Sequence, residues 1–151
     1  YNKAPKPNYG PLARDVAGDN RGALLNNSKS KTIGSYRELV NAKQKDAHHI
    51  IQDAAMRDIE GYNRFNAPAR QLDGPSTTKG TPHNIATSIQ RETGGGTYGA
   101  ERRIGYKALR RSGLSVDEAK FEIMRADKYF MDELGLTLDS PTRIPGNRRR
   151  R

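Results

Sequence analysis

Apolar residues are spaced unevenly along this chain, and their spacing divides it into irregular and helical stretches. Residues 1–34 mix Pro5, Pro7, Pro11, Gly10, Gly18 and Gly22 with Asn, Ser and Lys, and only Leu24 and Leu25 offer apolar anchors. No periodic element is predicted there, so the segment reads as an irregular linker or a draped arm. Ser35-Tyr36-Arg37-Glu38 is a capping box with Leu39 and Val40 behind it, which predicts a short helix to about Lys45. Ile50, Ile51, Ala54, Ala55 and Ile59 then recur at helical spacing, predicting a second helix that starts at or just after the pair His48-His49.

From Gly61 to Gly80 the chain is rich in Asn, Pro, Gly, Ser and Thr, with apolar islands at Ala67 and Leu72 that read as strand fragments. So long an irregular stretch is unusual and suggests a functional loop or an untidy hairpin. Thr81-Pro82-His83 is a helix start, with Thr81 as N-cap and Pro82 in the first turn, and Ile85, Ala86 and Ile89 form its apolar face. Gly94-Gly95-Gly96 ends that helix. Another is expected over 98–112, with Ile104, Ala108 and Leu109 inward and Gly113 as its stop. Ser115 to Glu118 is a second capping box. The helix behind it places Ala119, Ile123, Ala126, Phe130 and Leu134 on one face, and Gly135 closes it. The rest reads as an extended, Pro-containing tail. The expected organisation is a linker over 1–34, a domain over 35–140 and a basic tail over 141–151.

Composition narrows the function classes. The 151 residues suit one domain, and the hydrophobic share of 33 % allows only a modest core. The chain has no Cys, which excludes a disulfide scaffold, a thiolate zinc site and a cysteine nucleophile. No apolar run is long enough to cross a bilayer as a helix, and no signal peptide is visible. With 27 Lys+Arg against 17 Asp+Glu the net charge is +10. Removing the four terminal residues Arg148 to Arg151 still leaves +6, so the excess belongs to the body of the chain. An anionic partner follows: nucleic acid, an acidic protein or a membrane surface. A membrane-active role fits least, because no basic helix carries a large apolar face.

The chain has three histidines: His48, His49 and His83. Neighbouring residues on a strand or bend point in different directions, so one of an adjacent pair can bind a metal while the other faces substrate. Spacing alone would allow a surface pair and an ordinary helix-start histidine. Without cysteine, any metal site would use nitrogen and oxygen ligands, which suits Mg, Mn, Ni or Zn acting on phosphate.

The stretch Asp46-Ala47-His48-His49-Ile50-Ile51, followed after a loopy region by Thr81-Pro82-His83, resembles the signature of the AHH nucleases. These belong to the HNH/endonuclease VII superfamily of ββα-metal nucleases, found as C-terminal toxin modules of bacterial polymorphic toxins, Rhs-like ones among them. The resemblance is firm over roughly 46–90. It implies an α+β fold, mostly helical, around a small ββα-metal centre. It further implies a metal-dependent endonuclease that hydrolyses DNA phosphodiester bonds as an antibacterial effector. His49 would be the general base, and His48 and His83 the metal ligands. Many such sites have a second helical ligand four residues on, where this chain has Thr87. More water on the ion would favour a hard one, so a single Mg is expected ahead of Mn, Ni or Zn. Asp46 and Asn84 are spare oxygen ligands.

Lys79, Arg91, Arg102 and Arg103 lie near the motif and are candidates for holding substrate phosphates. An acidic immunity protein is the expected partner. The domain is expected to be part of a longer toxin polypeptide, delivered or secreted, and to act in the target-cell cytoplasm. Two other readings remain: a ribonuclease toxin, which needs only a histidine and a 2′-hydroxyl, and a non-catalytic nucleic-acid-binding module. Glu101 after the glycine run reads as a solvated charge or a group led into the cleft. Tyr62, Tyr98 and Tyr106 suit base stacking, although half-buried tyrosine is commoner.

Overall fold

A computed structural model describes residues 32–92 and 95–145. Leu24, Leu25, Gly94 and Arg148 to Arg151 lie outside the described residues, as do most of the linker and the end of the tail. The described chain is α+β: a three-stranded antiparallel sheet against which the helices pack.

Strand β1 (Ile33–Ser35) runs directly into helix α1 (Tyr36–Asn41). The Ser35–Glu38 capping box forms, with both reciprocal bonds present. The helix stops at Asn41 rather than near Lys45. Lys43 (φ 57°) and Asp46 (φ 64°) take left-handed conformations that no helix can continue through. Strand β2 (Ala47–His49) follows, then the four-residue helix α2 (Asp53–Met56). The helix expected over Ile50–Ile59 is therefore reduced to one turn. Ile50 and Ile51 are both buried in the bend that follows β2, and Gln52 at ψ 130° lies outside the helical region.

Strand β3 (Pro68–Gln71) lies between the other two, giving the order β1-β3-β2. The islands Ala67 and Leu72, expected as strand fragments, lie one residue outside either end of it, and both are buried. Its register pairs His48 with Arg70 and His49 with Ala69. Helix α3 (Pro82–Gln90) starts where expected, with the Thr81 hydroxyl accepting from the Asn84 N–H. Helix α4 (Tyr98–Arg111) ends before Gly113 (φ 118°). Helix α5 (Val116–Asp127) is capped by Ser115 and continues as a π-helical segment, Lys128–Glu133, to Gly135 (φ 79°).

The core joins Ile50, Ile51, Met56, Tyr98, Leu109, Ile123 and Phe130. It brings α4 and α5 against the end of β2. The approach of α4 is close: a Cβ at Gly105 would lie 2.7 Å from the Ile50 carbonyl oxygen. The expected tail packs as well. Leu136 and Leu138 are buried, Thr97 bridges to Pro141, and the Arg143 N–H donates to the Ala55 carbonyl.

Candidate active site

Strand alternation sends the two adjacent histidines different ways. His48 is 3 % exposed, and its Nε2 is buried without a hydrogen-bond partner. Its ring meets that of His83 edge-on, with centroids 5.5 Å apart. Burial first, then the neighbouring His83 and His49, lower the His48 pKa to about 3. The ring is thus neutral at ordinary pH, with a lone pair available.

His83 reaches this point because the loop before α3 wraps its ring. Its Nδ1 lies 3.1 Å from the Gly74 carbonyl oxygen. A carbonyl only accepts, so Nδ1 carries the proton and Nε2 is left as the basic nitrogen. Asp46 Oδ1 is 3.9 Å from Nδ1, beyond hydrogen-bond range but beside the same ring. Asn84 is committed to the loop: it donates to the Ser76 carbonyl and accepts from the Gly80 N–H. Thr87 supplies no imidazole on the next turn. Among the described residues no group of three His, Asp or Glu is gathered as a metal cluster. The orphaned Nε2 of His48 nevertheless fits a metal: a buried polar atom without a protein partner is costly unless something outside the chain completes it. His48 and His83, through their free Nε2 atoms, are the residues that would hold a divalent ion, while Asp46 lies on the Nδ1 side of His83.

His49 is built differently. Its Nε2 lies 2.9 Å from the Arg64 carbonyl, which fixes Nε2 as the protonated nitrogen and leaves Nδ1 to accept. The ring stacks on Tyr36, with centroids 4.4 Å apart and planes 12° apart. Burial lowers its pKa, opposed by the Arg64 carbonyl and by the Asp53 charge. Burial raises the Asp53 carboxyl, but bonds from Tyr62 and Arg57 outweigh this and hold it below its ordinary value. It therefore stays ionised as a counter-charge to His49.

A polar network fixes the strand from behind. Gln90 Nε2 donates to the carbonyls of His49 (3.2 Å) and Ile50 (3.3 Å). Gln52 Nε2 donates to the Gln90 carbonyl (2.7 Å) and to Glu101 Oε1 (2.8 Å). Glu101 is neither a solvated charge nor an exposed cleft acid. It is 1 % exposed, and burial raises its pKa. A Cβ at Gly95 would come within 2.2 Å of its Oε2, so a side chain there would displace the end of the Glu101 carboxylate.

The other predicted phosphate contacts divide. Lys79, Arg91 and Arg103 are exposed. Arg102 instead grips buried Asp127 with two bonds, at 2.8 and 2.7 Å, and Tyr98 donates to the same carboxylate. Tyr98 is a core residue and half-buried Tyr62 packs against the core, where it stacks on Phe130 and donates to Asp53. Neither presents its ring to a base. Sequence reasoning missed Tyr36, Asp53 and Arg64. Arg64 orients His49 through a main-chain carbonyl, which any residue type supplies.

Two antiparallel strands, a histidine pair on the first and a third histidine opening the helix behind them define a ββα histidine centre of the nuclease kind. Residues 42–131 match a family described as an HNH/Endo VII superfamily toxin with a SHH signature. The chain belongs to that family and is an HNH-type nuclease toxin domain. Where the signature is written with serine, this chain has Ala47. Searches of curated proteins and of solved structures gave no match.

Proposed function

We propose that the domain is a metal-dependent endonuclease that hydrolyses DNA phosphodiester bonds, with His49 as general base and His48 and His83 as metal ligands. The observation that carries this reading is the division of labour across β2. One histidine is buried, neutral and unpartnered against His83, and its neighbour is locked in the tautomer that leaves Nδ1 basic. Nδ1 takes a proton from water as the water oxygen bonds to phosphorus, and the phosphorus–oxygen ester bond to the leaving group breaks. Asp53 and the Arg64 carbonyl steady the imidazolium that results. A divalent ion on His48 and His83, when bound, would offset the charge developing on the phosphate and the leaving oxygen. Lys79, Arg91 and Arg103 are placed on the surface, as phosphate contacts would require.

The toxin family supports an effector role. On this reading the domain is the effector part of a longer toxin, acts on nucleic acid in the target-cell cytoplasm and is neutralised by an acidic immunity protein. No described helix is long and apolar enough to cross a membrane. Plasmid digestion in Mg, Mn, Ni or Zn, then with EDTA, tests the assignment. Nicking should need metal and should fall by about 10²–10⁴ in His49→Ala. Cleavage unaffected by that substitution would remove His49 as base. Loss of total RNA regardless of EDTA would favour the ribonuclease reading.

A further inference from the structure

Beside His49 and the Tyr36 ring stacked on it lies exposed Phe65 with two arginine side chains. Phe65 is 40 % exposed and belongs to neither core cluster. Its ring lies 5.9 Å from Tyr36, which stacks on His49. The Arg64 guanidinium sits 4.6 Å from the Tyr36 ring centre and 4.9 Å from that of Phe65, and Arg37 sits 5.8 Å from Phe65. Main-chain bonds fasten the two contributing segments together: Tyr36 N–H to the Ala67 carbonyl (2.9 Å) and Arg37 N–H to the Phe65 carbonyl (2.8 Å).

Arg37 has no ion pair with a described carboxylate, and Arg64 has only a long one. Arg37 bonds the neutral Asn66 amide. Arg64 comes only within 3.8 Å of Asp53, which already holds Arg57 at 2.8 Å. Cation–π attraction to the rings offsets part of the repulsion between the two guanidiniums, while Phe65 still leaves apolar surface in water. The cluster thus presents positive charge and exposed aromatic surface together. A ligand with a flat apolar face and negative charges close to it would satisfy both features, and an unpaired nucleotide has both. In a duplex the base faces are already stacked and unavailable.

Building on the nuclease reading above, we propose that Phe65, Tyr36, Arg37 and Arg64 form a subsite for an unpaired nucleotide of the DNA strand next to the scissile phosphate. The base packs against the part of the Phe65 ring left exposed, and the flanking phosphates lie on Arg37 and Arg64. The domain therefore favours single-stranded or locally opened DNA over intact duplex.

Fluorescence anisotropy in EDTA, with a labelled single strand of ~12 nucleotides and its duplex, measures binding without cleavage. The parent should bind the single strand more tightly than the duplex. Phe65→Ala should weaken single-strand binding by about tenfold and duplex binding by less than about twofold, while Phe65→Trp retains it. Arg37→Gln should lower the salt slope by up to about 0.7. Single-strand affinity unchanged in Phe65→Ala overturns the subsite and leaves the surface to an acidic protein partner. Equal losses on single strand and duplex overturn it too. Metal-dependent plasmid nicking by the same preparations separates the two readings. Nicking with unchanged Phe65→Ala affinity sinks the subsite alone. Absent nicking with the Phe65 effect present sinks the nuclease reading alone.

Discussion

At the scale of single residues, the site depends on which atoms are left without partners. His48 and His49 are adjacent and chemically identical, yet one has a buried orphan Nε2 and the other an Nε2 tied to a main-chain carbonyl. Glu101 shows the same logic in a carboxylate. Burial raises its pKa, opposed by the Gln52 bond. The folded protein therefore holds this proton more tightly than the unfolded chain. The stability it contributes is present at acid pH and is lost as pH rises through the raised folded value. Glu101→Gln keeps an acceptor for Gln52 and abolishes the titration. Thermal melts from about pH 4 to 7 should show the parent losing ground relative to this variant, with the variant the more stable at neutral pH. A constant difference across the range would show that Glu101 does not titrate there.

At the scale of elements, signals that act within a few residues were legible and those that depend on distant partners were not. Both capping boxes, the Thr81 N-cap and the Gly113 and Gly135 stops satisfy local backbone groups, and each is found where the sequence places it. The histidine strand was hidden. Ile50 and Ile51 mimic a helical face because they are apolar for a reason outside the segment, the packing of α4 and α5 over β2. Gly105 measures that packing, since its missing side chain lets α4 approach the Ile50 carbonyl. Gly105→Ala should cost about 1–3 kcal/mol in chemical denaturation, as overpacking generally does. It should also lower cleavage, because Ile50 adjoins His49 and shares the Gln90 bond. An unchanged midpoint with full activity would mean that the helix can retreat freely.

At the scale of the whole molecule, one buried ionic junction ties the last helix to the sheet. Glu122 on α5 is fully buried and bonds Arg70 of β3 at 2.6 Å and Arg125. Arg125 also donates to the carbonyls of Gly34 and Ala69, so it clamps β1 and β3 together. Glu122→Ala takes the shared carboxylate from two partly exposed guanidiniums, leaving Arg70 only its longer pair with Glu118 at 3.6 Å, and should cost about 2–4 kcal/mol in denaturant unfolding, toward the lower end because both guanidiniums reach water. A loss below about 0.5 kcal/mol, the size of an ordinary surface change, would show that the junction does not hold the sheet. The sequence by itself determined the helix starts and stops and the three histidines with their order along the chain, and the α+β class came through the resemblance those histidines carry. These rest on propensity, capping and residue type, which are local. Only the tertiary structure decided that the histidine pair lies on a strand, that Arg102 serves Asp127, and that Arg64 and Tyr36 frame His49. Each of these depends on groups brought together from separate segments by burial, and burial is a property of the assembled core.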